Sequence, residues 1–194
     1  MQNDPASSTF ERIATAPNAA SPRAGKAAHR KRLIIVAVAV GLASAALGYR
    51  LLNAKIQAPS VTFTSLAGER ISMQSLRGKV VMVNFWATSC VTCVKEMPQM
   101  VETYTKFKDR GLKFVAVAMS YDPPNYVVNF TETRKLPFTV ALDTQNRLAQ
   151  AFGDVSLTPT TFVIDKEGRI IKRYVGEPDF QALHRLLDKA VAAS

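Results

Sequence analysis

Sulfur and imidazole ligands are scarce in this sequence: 194 residues include two cysteines, Cys90 and Cys93, and two histidines. Two thiols cannot build a cysteine-rich disulfide scaffold, a four-thiolate zinc site or an iron-sulfur cluster. A c-type haem attachment motif is also absent, because Val94 rather than histidine follows Cys93. The histidines, His29 and His184, are far apart along the chain. We therefore expect no metal site and no cofactor.

Charge of one sign is concentrated in only one part of the chain, although the net charge is +10. Residues 1–50 contain seven basic and two acidic residues, whereas residues 51–194 contain 18 basic and 13 acidic residues. Half of the excess therefore lies beside a single apolar run. In the remainder, basic side chains are dispersed among acidic ones, as on an ordinary solvated surface, so we expect no nucleic-acid partner.

The amino-terminal segment indicates export. Residues 1–32 are rich in Ala, Ser, Pro and charge and have no sustained apolar period, which predicts a disordered, basic, cytoplasmic tail. Residues 33–52 carry no formal charge before Arg50 and would span about 30 Å as a helix, matching the hydrocarbon core of a bilayer. Three basic residues at positions 30–32 keep the tail in the cytoplasm under the positive-inside rule. The pattern predicts a single-pass anchor followed by an extracytoplasmic domain.

Two other interpretations of the apolar run remain. A cleaved secretory signal is possible, because Ala43-Ser44-Ala45 satisfies a small-residue cleavage site. A buried core helix ranks last, since the run has no polar face. The anchor and the signal agree that the following chain is exported, with residues 53–59 as a linker and residues 60–194 as one folded domain.

Strands and helices alternate within this domain. Two short strand-like pieces, residues 61–66 and 70–73, predict an opening hairpin, and the apolar run Lys79–Ala87 predicts a central strand buried on both faces. The remaining patterns predict, in order, a helix from about residue 94 to the glycine at 111, a strand at 113–120, a helix from 124 to about 134, a strand at 138–142, a short helix at 146–152, a hairpin of strands 161–164 and 169–175, and a helix at 179–192. This order predicts an α/β domain with a mixed, mainly parallel central sheet flanked by helices.

The two cysteines stand where the central strand gives way to the first long helix. Unpaired backbone N–H groups and the helix dipole at that terminus favour the thiolate of Cys90, the form that attacks disulfides. Spacing of i and i+3 puts Cys90 and Cys93 on one side of the first turn, within reach of a reversible disulfide. A static bridge is the weaker interpretation, because a loop of four residues removes little chain entropy.

The surrounding motifs resemble those of a known family. The run Asn84–Pro98, with its C-x-x-C core, is similar to the active-site stretch of the membrane-anchored thioredoxin-like proteins of the TlpA/ResA group, and Thr158–Asp165 resembles that family's cis-proline segment. The resemblance implies a thioredoxin-like fold with an amino-terminal hairpin and a helix-strand-helix insertion between Pro123 and Phe152. It also implies the inner membrane of a bacterium and a periplasmic domain.

The resemblance assigns roles to individual residues. Cys90 is expected to be the attacking thiol, Cys93 the resolving thiol, and Glu96 the acid/base that serves Cys93. Pro159 is expected to be a cis-proline facing the disulfide, with the backbone of Thr158 free to pair with an extended substrate. Trp86 matches an aromatic residue that packs beside the site, and we expect it to contact substrate, although simple core filling explains this residue as well.

Position 84 strengthens the assignment of Glu96. Under this resemblance, Asn84 stands where classical thioredoxins have a buried aspartate, so this chain lacks that base. Two residues next to the cysteines depart from the family pattern, because Ser89 replaces the usual tryptophan and Thr92 the usual proline. Losing the proline restores a backbone N–H near the thiolate, which could stabilise the reduced form and raise the reduction potential.

The leading functional hypothesis is a membrane-tethered thiol-disulfide oxidoreductase that reduces disulfides in exported proteins, in cytochrome c maturation or copper-site assembly. Its electrons would come from a membrane thiol-electron transporter, and the domain would be a monomer. A periplasmic oxidase or isomerase is an alternative, since the same residues could work at a higher potential. A copper-binding assembly chaperone without turnover is a third, although no histidine has an obvious route to the cysteines.

Overall fold

The computed structural model describes residues 35–46, residue 48 and residues 56–193. Residues 35–46 form a helix, α1, whose side chains are exposed, and they belong to a unit separate from the one that begins at Lys55. Within the described part of the chain, no helix combines the length and apolarity needed to cross a bilayer. The predicted tail, residues 33, 34, 47 and 49–52 of the predicted anchor, and residues 53–55 of the predicted linker lie outside the described residues.

The second unit opens with the expected hairpin. Strands β1 (Thr62–Thr64) and β2 (Arg70–Ser72) pair antiparallel as a separate two-stranded sheet. Gly68 has φ of 81°, a left-handed conformation that glycine adopts without steric cost, and it lies in the turn between them. Phe63 is fully buried between the hairpin and the main sheet, so this small element is part of the core.

The main sheet contains strands β3 (Val80–Trp86), β4 (Leu112–Ala118), β5 (Thr139–Leu142), β6 (Thr160–Ile164) and β7 (Ile170–Val175). Their order across the sheet is β5-β4-β3-β6-β7. Strand β3 runs parallel to β4, and β4 runs parallel to β5, whereas β6 pairs antiparallel with both β3 and β7. The sheet is therefore mixed, with its central strand where the apolar run predicted it.

Within residues 56–193, four α-helices pack beside the sheet and follow the predicted order. They are α2 (Val91–Phe107), α3 (Pro124–Arg134), α4 (Arg147–Ala151) and α5 (Phe180–Ala192). Helix α3 begins where Pro123 and Pro124 set a helical φ without losing a hydrogen bond, and Asp179 caps α5 by accepting from the Ala182 N–H at 3.0 Å.

The two faces of β3 meet different layers. Val80, Met82 and Trp86 pack in the core cluster that includes α2, α3 and α5, whereas the alternate residues pack with the opening hairpin and α4. Burial on both faces explains why the whole strand is apolar apart from one residue. That residue is Asn84, and strand alternation places it on the α2 side.

Candidate active site

The cysteines lie where the sequence pattern predicts, at the amino terminus of α2. Strand β3 ends at Trp86, and a short turn carries the chain to Cys90, which is the N-cap residue of the helix. The Cys90 Sγ accepts a hydrogen bond from the Cys93 N–H at 3.2 Å. The unpaired N–H groups of the first helical turn point toward a sulfur in the N-cap position. They favour a negative charge on that sulfur.

Cys90 and Cys93 form a disulfide with Cα atoms 5.2 Å apart. Their environments differ, because Cys93 is fully buried and Cys90 is half-buried and faces the surface. Only the accessible sulfur can be reached by a second protein. The geometry therefore suits attack at Cys90 and resolution by Cys93.

The segment before β6 closes the other side of the disulfide. The Thr158–Pro159 peptide bond is cis, as the family resemblance implied. The Cys90 Sγ lies 3.6 Å from the carbonyl oxygen of Thr158, so this segment flanks the reactive sulfur. Within residues 56–193, the backbone N–H of Thr158 has no hydrogen-bond partner, which leaves it available to an incoming chain.

A buried polar group lies behind the disulfide. Glu96, one turn after Cys93 on α2, is 1% exposed and accepts a hydrogen bond from Asn84 Nδ2 at 3.1 Å. The same amide nitrogen donates to Thr161 Oγ1 at 2.9 Å, so both of its protons are used. Glu96 Oε2 and Asn84 Oδ1 have no partner among the described residues. The site therefore contains a carboxyl group with one oxygen held by an amide and the other unpaired.

Burial controls the protonation of this carboxyl group. Removal from water raises the pKa of Glu96 from 4.5 to about 8; the Asn84 hydrogen bond lowers it, and the charge of Glu177 raises it further. Glu177 is itself paired with Lys95 at 3.2 Å. A carboxyl with a pKa near 8 is mostly neutral at pH 7 and can both give and take a proton close to that pH.

Trp86 is placed differently from our expectation. Its side chain is fully buried and packs against Phe130 at a centroid distance of 5.1 Å. Strand alternation places the side chain of residue 86 on the face of the sheet that α2, α3 and α5 cover. In this oxidised state Trp86 fills the core, and its side chain has no exposed surface.

The structure adds three residues that sequence reasoning missed. Asp122, in the loop between β4 and α3, is buried and accepts from the Thr88 N–H at 2.6 Å and from Thr88 Oγ1 at 2.5 Å. The neighbouring Tyr121 hydroxyl lies 3.2 Å from Thr158 Oγ1. An acidic residue in a turn before two prolines looks like a solvated loop residue, so the sequence contains no signal for these contacts.

The remaining candidate ligand lies away from the disulfide. His184 on α5 contacts Thr103 Oγ1 at 2.8 Å, ten residues and therefore about 15 Å along α2 from Cys93. Burial lowers the pKa of His184. In the part of the chain that the structure describes, no three of the histidine, cysteine, aspartate and glutamate side chains are grouped so that they could hold a metal ion.

Comparisons with known proteins agree with this geometry. The Redoxin family model matches residues 53–187. Two curated proteins named thiol-disulfide oxidoreductase ResA match this chain. The one from Bacillus thuringiensis (strain Al Hakam) is 37% identical over 69% of this chain and 76% of that protein. The one from Bacillus subtilis (strain 168) is 34% identical over 80% of this chain and 91% of that protein. A crystal structure of a thiol:disulfide interchange protein of the thioredoxin family from Chlorobium tepidum superposes with a TM-score of 0.65, at 31% identity over 71% of this chain and 97% of that one.

Proposed function

The chain belongs to the Redoxin family and is a thiol-disulfide oxidoreductase of the ResA/DsbE type, and from that premise we propose that it reduces disulfides in exported proteins. The observation that carries the proposal is the asymmetry of the cysteine pair. One sulfur caps a helix at the surface, and the other is fully buried, one helical turn before a buried carboxyl group whose pKa is raised.

The reduction proceeds in two exchanges. The Cys90 thiolate attacks a substrate disulfide, forming a mixed disulfide and releasing one substrate thiolate. The Cys93 thiolate then attacks Cys90 Sγ, which forms the Cys90–Cys93 bond, breaks the mixed disulfide and releases the second substrate thiolate. Two electrons pass from the enzyme dithiol to the substrate, so a dithiol donor must restore the enzyme. We propose a membrane thiol-electron transporter as that donor.

Glu96 accepts the proton of the buried Cys93 thiol and later returns it. Cys93 must lose its proton before it resolves the mixed disulfide, and a Glu96 carboxylate can accept it. When the donor later attacks Cys90 and Cys93 leaves, the neutral Glu96 carboxyl can return the proton. A pKa of about 8 lets both transfers occur near neutral pH, since neither form of Glu96 is strongly disfavoured there.

The substrate is an extended protein segment. The free N–H of Thr158 and the adjacent carbonyl oxygen lie beside Cys90, in position to pair with a passing backbone. Backbone pairing recognises a peptide without reading its side chains, which suits a reductase with several clients. Cytochrome c maturation and copper-site assembly are the settings we propose, because both need reduced cysteine pairs in exported proteins.

The equilibrium reduction potential tests the direction of transfer. The oxidised protein is titrated against dithiothreitol or glutathione, and the fraction of reduced Cys90–Cys93 is followed by thiol alkylation. A potential below about −230 mV supports a reductase. A potential near −120 mV, the range of strong oxidants, contradicts it and favours an oxidase or isomerase.

We also propose that residues 33–52 tether the domain to the bacterial inner membrane, with the amino terminus in the cytoplasm. The apolar length and the basic flank of the run support this. In a fractionated cell, full-length protein should stay in the membrane pellet after alkaline extraction, and a chain starting at residue 53 behind an exported leader should be released. Recovery of both proteins in the soluble fraction would contradict the tether.

A further inference from the structure

Exposed apolar and aromatic side chains surround the reactive sulfur. Val91, Tyr121 and Leu157 are 83%, 57% and 62% exposed. They come from three different segments: the first turn of α2, the β4–α3 loop and the chain just before the cis-proline. Single exposed apolar residues are common on soluble proteins, but a group of them around one reactive atom is typical of an interaction site.

Tyr121 is the largest member of this group, and its position is held. Its hydroxyl contacts Thr158 Oγ1 at 3.2 Å, and the carbonyl oxygen of Thr158 lies 3.6 Å from Cys90 Sγ. The ring therefore reaches from the β4–α3 loop to the segment that flanks the sulfur. An aromatic ring already held in place loses little further freedom when a ligand packs against it.

The loop that carries Tyr121 is anchored on the opposite side of the site. The buried Asp122 carboxylate accepts two hydrogen bonds from Thr88, two residues before Cys90, and the Asp122 N–H donates to the Met119 carbonyl at 3.0 Å. Adjacent residues of one loop thus contact both segments that frame the sulfur. This double attachment keeps the exposed ring of Tyr121 at the edge of the site.

The residues next to Cys90 in the chain carry no charge. Ser89, Val91 and Thr92 flank Cys90 on its exposed side, and all three are uncharged. A charged substrate residue placed there would lose water without gaining a partner. An apolar or aromatic residue would instead bury surface against the ring.

Building on the proposed function, we propose that Tyr121 is a specificity-determining residue. Its ring forms one wall of the substrate site and contacts the side chain next to the substrate cysteine, selecting extended segments with an apolar or aromatic residue at that position. Val91 and Leu157 complete the apolar surround. The substrate class is thus an unfolded protein disulfide with an apolar neighbour, rather than a small hydrophilic disulfide.

Full-length protein tests this with three disulfides: a peptide with phenylalanine beside its cysteine, the same peptide with aspartate there, and oxidised glutathione. We expect Tyr121→Ala to raise KM for the phenylalanine peptide about five- to tenfold more than for the aspartate peptide or oxidised glutathione. Tyr121→Phe should keep most of the wild-type preference, because it retains the ring and the Asp122–Thr88 hydrogen bonds still hold the loop, although the contact with Thr158 is lost. Tyr126→Ala is the matched control, since Tyr126 is 58% exposed on α3 and its side chain makes no hydrogen bond or ring contact within residues 56–193.

The outcomes separate this inference from the proposed function. A Tyr121→Ala enzyme that keeps the wild-type preference between the two peptides overturns the role of Tyr121. Equal losses on all three disulfides also overturn it, because they show an effect on the cysteines themselves. A wild-type enzyme that reduces none of the three overturns the proposed function, and this inference with it.

Discussion

The neutral carboxyl group of Glu96 has a consequence for folding that can be measured without any substrate. Substituting Glu96→Gln replaces it with a group of similar shape that cannot ionise. Glutamine keeps an acceptor oxygen for Asn84 Nδ2 and brings an N–H group that can donate to Asn84 Oδ1, which has no partner in the described structure. The substitution should therefore leave the packing intact and remove only the titration.

The direction in which stability changes with pH follows from proton binding in the folded and unfolded states. Glu96 loses its proton near pH 4.5 in the unfolded chain and near pH 8 in the folded one. Between these values the native state binds more protons, so stability decreases as the pH rises through this window and levels off above it. A difference of 3.5 pH units at about 1.4 kcal/mol each gives a decrease of roughly 5 kcal/mol. That is a large part of the stability of an ordinary domain.

Urea unfolding of the oxidised protein from pH 5 to pH 9 provides the assay. Glu96→Gln should lie close to the wild type at pH 5, exceed it increasingly up to about pH 8 and keep a nearly constant margin above that, because the difference between the proteins isolates this one group. Glu132→Gln, an exposed substitution on α3, is the control and should leave the wild-type slope unchanged. Parallel curves for Glu96→Gln and the wild type would show that Glu96 is ionised in the native state, and would refute its assignment as a neutral acid.

Two other substitutions test the surroundings of the site and the closing hairpin by the same unfolding measurement. Asn84→Leu removes the N–H that lowers the pKa of Glu96, so the decline in stability should extend to higher pH, and a shift to lower pH would contradict the hydrogen-bond assignment. Gly168→Ala should cost about 1 kcal/mol, because Gly168 has φ of 73°, whereas Arg77 Cζ, 2.5 Å from the added Cβ, is the end of a flexible side chain that can move aside. Gly68→Ala, with φ of 81° and no atom within 4 Å, should cost a similar amount, and a clearly larger loss at Gly168 would show that Arg77 is fixed in place.

Most of the fold was predictable because hydrophobic period and turn chemistry agree along this chain. The run Lys79–Ala87 predicted the central strand, and β3 spans Val80–Trp86. The proline pair predicted the start of α3, and the mixed sheet with its antiparallel closing hairpin is confirmed. Local signals suffice here because each buried strand is bounded by glycine, proline or a helix cap.

The contacts around the site were less predictable, because they depend on burial rather than on spacing. Glu96 in the first turns of a helix could equally have been a solvated residue that complements the helix dipole. Its raised pKa follows from the strand, helix and loop that enclose it, and no local pattern contains that information. For the same reason the sequence contains no signal for the contacts of Asp122, and spacing alone could not decide whether Trp86 contacts substrate or fills the core, where its side chain lies.

The register between β3 and β6 explains why two distant motifs form one site. In this antiparallel pair Asn84 lies opposite Thr161, and Phe85 lies opposite Thr160. The end of β3 therefore meets the start of β6, so Cys90, four residues beyond one strand, and Pro159, one residue before the other, reach the same edge of the sheet. The same register places Asn84 on the α2 side, where its amide joins Thr161 to Glu96. Strand side chains alternate with a period of two, so a slip of one residue in this register would turn Asn84 to the opposite face of the sheet. The Glu96 carboxyl group would then lose its only hydrogen-bond donor in the described structure.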